Sequence, residues 1–520
     1  MSNNDIVQKL WNLCDVLRDD GINYSDYVTE LVLLLFIKMV HENTEAGVLA
    51  VHTLPIGCRW DDLSGRDDTN LLASYRSILI KLSTGRNDDG EIVHSDKLLL
   101  AIYKGAQTRL SEQTHLAQLI KALDQIDWFS AKKDGLGDLY EGLLEKNAEE
   151  SKSGAGQYFT PRALIDSIVK MIDPKLGEVI QDPAAGTAGF LIAADRYIKE
   201  QTADYNNLSK KKINFQKNNA FVGVELVSST QRLALMNCLL HGLEGDEAGI
   251  VQLGNSLSQL GADLPEADIV IANPPFGTSK GGDASITRID LPFTTSNKQL
   301  AFLQHIYLNL KPGGRAAVVL PDNVLTDTGI GTKIRRDLMN RCNLHTIIRL
   351  PTGIFYAAGV KTNVLFFSKG GVKNKLQEES CTKNTWVYDL RTNMPSFGKR
   401  TPFGKQHLMP FESVYTVPLN KRTEGEWSFN AETIKIEPTA FNQDIDERLA
   451  QSRWRVFNRK YIRDIKGDSL DISWLKDTDS LNAENLDSPE KLAFEAKREL
   501  EGALAELDIL INSLALEDIG

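Results

Sequence analysis

The chain has 520 residues, 42% of them hydrophobic and 25% charged, which are the proportions of ordinary folded protein and exclude a collagen, a coiled-coil rod or a disordered tail as the whole molecule. At this length about three domains are expected, because single cores stop growing well short of it. The net charge of −11 argues on average against a polyanionic partner, but the average conceals a pattern: residues 1–150 carry 15 Lys and Arg against 25 Asp and Glu, residues 151–400 carry 29 against 22, and residues 401–520 carry 15 against 23. A basic middle between acidic ends fits a central module facing a polyanion, with flanks that meet proteins or stay solvated; composition alone could also produce it.

Residues 1–150 read as an all-helical domain. Ile6, Val7, Leu10, Trp11, Cys14 and Leu17 recur every three or four residues, and Tyr27 to Val40 follows as a more fully apolar, buried helix. That run includes Glu30 and Lys38 and falls short of the ~20 residues that cross a bilayer, and no signal-peptide pattern follows Met1, so a cytoplasmic protein without membrane contact is expected. Polar loops around Asp61 to Asp68 and Gly85 to Gly90 separate the helices. The five cysteines, Cys14, Cys58, Cys238, Cys342 and Cys381, form no Cys-x-x-Cys pair and have no histidine at ligand spacing; they are expected as reduced thiols, with no metal.

From about residue 151 to 400 short apolar runs alternate with helical stretches, the pattern of a doubly wound, Rossmann-like α/β domain. The runs are 178–182, 220–225, 268–272, 316–320, 346–350 and 363–367. In such sheets ligands lie beyond the carboxyl ends of the strands, so chemistry is sought just after each run. Past residue 400 the texture loosens, with Trp427, Trp454 and Trp474 isolated among polar residues. A final segment, Ser488 to Leu516, carries Leu500, Leu504, Leu507, Ile511 and Leu514 in a coiled-coil-like stripe, which suits either a helix docked on its own domain or one pairing with a partner.

Asp182 ends the first run and opens Pro183-Ala184-Ala185-Gly186-Thr187-Ala188-Gly189-Phe190, after which a helix begins. A strand, a turn of small residues and a helix start form a ligand cradle, since the backbone can approach closely and free N–H groups favour an anion; the alternative is a turn that serves packing only. Glu225 stands at the tip of the second run, where a carboxylate can accept from both ribose hydroxyls. It follows Asp182 by 43 residues against the ~20 of a minimal dinucleotide fold. The excess is attributed to a polar insert, Asp204 to Asn219, whose Lys210-Lys211-Lys212 reads as a solvated loop or a phosphate contact. Gly254-Asn255 falls where a third strand should end, making Asn255 a candidate adenine-edge contact.

Asn273-Pro274-Pro275-Phe276, directly after the run 268–272, is the most specific motif. Two prolines fix the backbone and remove two donors, leaving an acceptor-rich turn in which Asn273 Oδ1 and the Pro274 carbonyl can each accept from an exocyclic amine while Phe276 stacks on its base. The amine can then attack an electrophilic methyl directly, without a covalent enzyme intermediate. Upstream, Gly156-Gln157-Tyr158-Phe159-Thr160-Pro161-Arg162 reads as an N-cap at Thr160 and a first helical position at Pro161, with Phe159 as a second wall of the cofactor pocket.

Together with Asp138-Leu139-Tyr140-Glu141, Pro351-Thr352-Gly353-Ile354-Phe355 and Gly359-Val360-Lys361-Thr362-Asn363, these motifs resemble the modification (methyltransferase) subunit of type I restriction-modification systems over essentially the whole chain. The order, cofactor motifs before Asn-Pro-Pro-Phe, is that of the γ class. The resemblance implies an S-adenosylmethionine-dependent DNA adenine-N6 methyltransferase. In it Gln157 to Arg162, Asp182, Gly186, Thr187, Ala188, Gly189, Glu225 and Asn255 hold the cofactor, and Asn273, Pro274, Pro275 and Phe276 are catalytic on double-stranded DNA. It also implies a complex of two such subunits with a DNA-specificity subunit and ATP-hydrolysing restriction subunits. Pro183 and Ala185 stand where the commonest cofactor loop has Phe and its first Gly. No Gly-x-x-x-x-Gly-Lys-Ser/Thr is present, which leaves ATP hydrolysis to another chain. Two alternatives use the same features: a protein glutamine N5-methyltransferase, expected to be smaller and without the basic middle, and a non-catalytic scaffold, which cofactor binding would exclude.

Overall fold

The computed structural model describes residues 3–23, 26–45, 54–65, 70–126, 128, 136–150, 159–206, 208–246, 249–276, 286–355, 360–371, 381–398, 401–430, 435–439 and 445–475. The chain divides into compact units at Met1–Ser473 and Trp474–Gly520, and the amphipathic segment 488–516 lies outside the described residues.

The N-terminal region is helical: α1 (Asn3–Asn12), α2 (Cys14–Asp19), α3 (Tyr27–Glu45), α4 (Asp61–Ser64), α5 (Leu71–Thr84), α6 (Lys97–Tyr103), α7 (Gln113–Asp124) and α8 (Leu136–Glu150). The periodic residues Ile6, Leu10, Cys14 and Leu17 are buried, and α3 is buried on nearly all sides, as its unbroken apolar run dictates. The charges inside it are matched: Lys38 Nζ lies 3.0 Å from Glu42 and 2.9 Å from Asp124, and Glu30 accepts from Thr108 Oγ1 and the Arg109 N–H. No helix among the described residues is long and apolar enough to cross a membrane.

The second region alternates strands and helices: α9 (Arg162–Ile172), β1 (Ile180–Asp182), α10 (Gly189–Gln201), α11 (Lys210–Asn218), β2 (Phe221–Glu225), α12 (Ser228–Leu240), β3 (Val251–Leu253), α13 (Gln259–Ala262), β4 (Ala267–Ala272), α14 (Lys298–Asn309), β5 (Leu310–Pro321), α15 (Asp322–Thr326), α16 (Ile330–Arg341), β6 (Cys342–Arg349), β7 (Thr362–Lys369) and β8 (Asn384–Asp389). They form one sheet in the order β11-β8-β6-β7-β5-β4-β1-β2-β3, where β11 is Trp454–Asn458. Ile269, Val270, Ile271 and Ala272 are all fully buried, so both faces of β4 are covered, as a doubly wound sheet requires. The order reverses at β1: β2 and β3 lie to one side and β4 to the other, which opens a crevice at their carboxyl ends.

Three features depart from the sequence reading. The sheet is mixed, because β7 inserts antiparallel between β5 and β6. The polar insert is not a loop: Ser209 caps α11, Ile213 and Phe215 pack against the core, and Lys210, Lys211 and Lys212 are exposed. The sheet also does not end near residue 400, where a boundary was expected. β11 pairs antiparallel with β8, and the fully buried Trp454 stacks on Phe411 of α17 (Lys405–Tyr415), rings 5.5 Å apart. A two-stranded hairpin, β9 (Trp427–Asn430) with β10 (Lys435–Pro438), and the helices α18 (Ile445–Gln451) and α19 (Arg459–Asp464) complete this region.

The helical region and the sheet share one continuous core. Arg232 of α12 fixes the seam, donating from Nε to the Ile102 carbonyl and from Nη2 to the Lys104 carbonyl, both at 2.8 Å. All five cysteines are free thiols, and burial raises Cys14 to about 12 and Cys58 to about 11, which keeps them protonated and inert.

Candidate active site

Four strand tips stand side by side in the order β4, β1, β2, β3, and each carries a residue singled out in the sequence. Asp182 ends β1 opposite Gly223 of β2, Glu225 ends β2 opposite Leu253 of β3, Asn255 follows β3, and Asn273 follows β4. At ~4.8 Å between strands the row spans about 14 Å, the length of an adenosyl group with its amino-acid tail.

The cradle after β1 is built by backbone constraints. Gly186 has φ of 54° and Ala188 has φ of 68°, a left-handed conformation that is strained for alanine, and α10 starts at Gly189 directly after it. Surrounding groups hold the turn: Asn237 Nδ2 of α12 donates to the Thr187 carbonyl at 3.0 Å, Ser256 Oγ donates to the Pro183 carbonyl at 2.6 Å, and Ala184 packs on Leu257, Ala301 and Phe302. At Gly223 a Cβ would come within 3.0–3.2 Å of Val251, Leu191 and Ala185 side-chain atoms, so glycine is what lets β2 approach the cradle.

The two acids differ in setting. Glu225 is half-buried; its Oε2 accepts from the Gly186 N–H at 3.0 Å and its Oε1 from the Val227 N–H at 2.8 Å, which fixes the carboxylate. Burial moves its pKa up. Asp182 is fully buried and accepts from the Ala184 N–H at 3.0 Å; burial, and secondarily the charge of Glu225, pushes it up to about 7. Because the folded pKa lies above the unfolded value near 4, the contribution of Asp182 to stability is fully present below about pH 4 and is lost as pH rises towards 7. The melting temperature of ligand-free Asp182→Asn is therefore expected to gain on wild type between about pH 5 and pH 7.5. Parallel melting curves across that range would refute the assignment.

Asn273 is half-buried, and its Nδ2 donates to Thr160 Oγ1 at 2.9 Å. Pro274 is buried and Pro275 exposed, with the Pro275 carbonyl accepting from Gln299 Nε2 of α14 at 3.1 Å. Phe276 meets Phe355 edge to face, centroids 6.0 Å apart and planes at 75°. Asn255 Oδ1 accepts from the Leu257 N–H at 2.9 Å. Phe159 is half-buried and Thr160 buried, just ahead of α9, while Gln157 and Tyr158 lie outside the described residues.

Two expectations for this segment do not hold. Helix α9 begins at Arg162 with Pro161 in the cap position, so Thr160 does not cap it and its hydroxyl meets Asn273 instead. Arg162 turns towards α8, where Nη2 lies 2.5 Å from Asp138 and also contacts Glu141. These carboxylates and His241 bring ligand atoms within 4.8 Å of one another, but the guanidinium already occupies the acids. A cleft of about 390 Å³ beside Arg162, lined by Val7, Asp138, Asp166, Arg196 and Lys405 among others, includes none of the strand tips. The sequence reading missed Gln299 and Asn237 as supports of the site; their positions on helices α14 and α12 gave no local signal.

Residues 131–456 match the N-6 DNA methylase family model, and residues 6–123 match the HsdM N-terminal domain. The chain is 54% identical to the methylase subunit of the type I restriction enzyme StySPI of Salmonella potsdam over all of this chain and 97% of that protein, and equally to that of EcoKI of Escherichia coli K12. The crystal structure of the EcoKI M protein matches 98% of this chain and 96% of its own, at 51% identity and a TM-score of 0.58. A modification subunit of a putative type I restriction enzyme from Vibrio vulnificus shares the fold at a TM-score of 0.65 and 24% identity, over 85% of this chain and 97% of its own. With a family model covering more than half its length and relatives matched end to end, the chain belongs to the N-6 DNA methylases, and within them to the methylase subunits of type I restriction enzymes.

Proposed function

We propose that the protein transfers a methyl group from S-adenosylmethionine to the N6 amine of adenine in double-stranded DNA, on a base swung out of the helix. The observation that supports this most directly is the row of strand tips, with Asn273-Pro274-Pro275-Phe276 beside the Asp182 and Glu225 carboxylates on one crevice. S-adenosylmethionine supplies an electrophilic methyl group there. Glu225 accepts from the ribose hydroxyls, Asn255 borders the purine, and the turn from Gly186 through Thr187 and Ala188 to Gly189, with Phe159 opposite, bounds the rest of the cofactor. Asn273 Oδ1 and the Pro274 carbonyl accept from the two amine hydrogens, which localises the nitrogen lone pair, and Phe276 holds the base plane. The nitrogen would form the new bond to the methyl carbon as the carbon–sulfur bond breaks, its electron pair leaving on sulfur as the neutral thioether of S-adenosylhomocysteine, and the methylated amine would afterwards release a proton to solvent.

The full-length likeness to type I methylase subunits supports a cytoplasmic role in a complex with a DNA-specificity subunit, a second copy of this chain and an ATP-hydrolysing restriction subunit. Incubation of the chain and its specificity subunit with methyl-labelled S-adenosylmethionine and unmethylated DNA, followed by nucleoside analysis, is expected to yield N6-methyladenine as the labelled product. Label on cytosine, or on protein alone, would overturn the reading.

A further inference from the structure

We infer that Thr160 is a positioning residue for methyl transfer, setting the rotation of the Asn273 side-chain amide; the inference rests on the proposed role of Asn273 as the amine acceptor. An amide side chain has a donor end and an acceptor end about 120° apart, and only the acceptor end can receive an N–H from an exocyclic amine. The donor end of Asn273 is committed to Thr160 Oγ1 at 2.9 Å, which turns the oxygen to the other side of the side chain. A hydroxyl can also donate, so Thr160 alone would tolerate the amide turned over. The substrate amine would not, since two N–H groups would then face each other. Thr160 and the base thus select the same rotamer from opposite ends, and the free enzyme meets its substrate with the acceptor already set.

The segment that carries Thr160 is fixed independently of the cofactor. Pro161 restricts the backbone at φ of −56°, and the next residue, Arg162, is held by Asp138 and Glu141 of α8. Thr160 is itself buried, so water does not readily replace its hydroxyl. The helical N-terminal region therefore reaches the methylation site through three successive residues.

The test uses the full chain assembled with its specificity subunit. Thr160→Val keeps the shape and removes the acceptor; it is expected to lower kcat about 10- to 100-fold, with the Kd for S-adenosylmethionine and the KM for DNA changed less than about threefold. Thr160→Ser, which keeps the hydroxyl, is expected to restore kcat to within about threefold of wild type. Thr160→Ala provides the same loss should the valine variant fail to fold. Unchanged kcat in Thr160→Val would overturn the inference, as would a parallel loss of cofactor affinity, which would make Thr160 a wall of the cofactor pocket. Asn273→Ala run alongside separates the two claims: if it stays active the Asn273 reading fails, whereas a dead Asn273→Ala with an unimpaired Thr160→Val removes only the positioning role.

Discussion

Asn273→Ala is expected to lower the single-turnover rate of methyl transfer by about 100- to 1000-fold, the effect of deleting one preorganised polar group aimed at developing charge. The change leaves the cradle intact, because Asn273 contacts neither the Asp182 to Gly189 turn nor Glu225 through any hydrogen bond observed among the described residues. Cofactor affinity measured by calorimetry should therefore move by less than about threefold. The neighbouring supports survive as well: Gln299 still binds the Pro275 carbonyl, and Phe276 still meets Phe355. A rate loss matched by an equal loss of cofactor binding would point to collapse of the turn instead of removal of an acceptor.

The largest expected effect on stability comes from Arg335, far from the site. This guanidinium on α16 is 1% exposed and donates to three backbone carbonyls: Nε to Asp468 at 2.8 Å, Nη1 to Val324 at 2.9 Å and Nη2 to Asp327 at 2.7 Å. Its neighbour Arg336 reaches the Asp468 carboxylate at 2.8 Å, and the Leu470 N–H bonds the Leu325 carbonyl at 3.0 Å, so the stretch after α19 is pinned onto the sheet layer. Arg335→Ala strands buried carbonyls without donors and is expected to cost about 3–5 kcal/mol. Lysine is a poor substitute, because one ammonium cannot imitate a planar fork that meets three acceptors. Equilibrium denaturation of Arg335→Ala and Arg335→Lys checks this; a loss below about 1 kcal/mol in the alanine variant would refute it.

Strand tips were the legible part of the molecule. Six apolar runs mark strands, and the rule that chemistry follows a strand's carboxyl end points to Asp182, Glu225, Asn255 and Asn273. What the sequence concealed depends on partners distant along the chain. Thr160-Pro161-Arg162 has the local form of a helix cap, but the hydroxyl is taken by a residue 113 positions away. Arg162 reads as part of a cofactor segment, whereas Asp138 and Glu141 decide its direction. Trp454–Asn458 is a strand through its pairing with Asn384–Asp389 and the aromatic group of Trp386, Tyr388, Phe411 and Trp454, partners far along the chain, so the sequence shows Trp454 only as an isolated tryptophan among polar residues.

That late strand has a bearing on how the protein can be handled. β11 covers the hydrogen-bonding side of β8 along its whole length, from Asn458 against Asn384 to Trp454 against Tyr388. A form shortened at residue 400 would bare that row of amides and carbonyls together with Trp386 and Tyr388, an invitation to edge-to-edge aggregation. Truncated versions intended for crystallisation or for mapping subunit contacts should therefore keep the chain through Ser473.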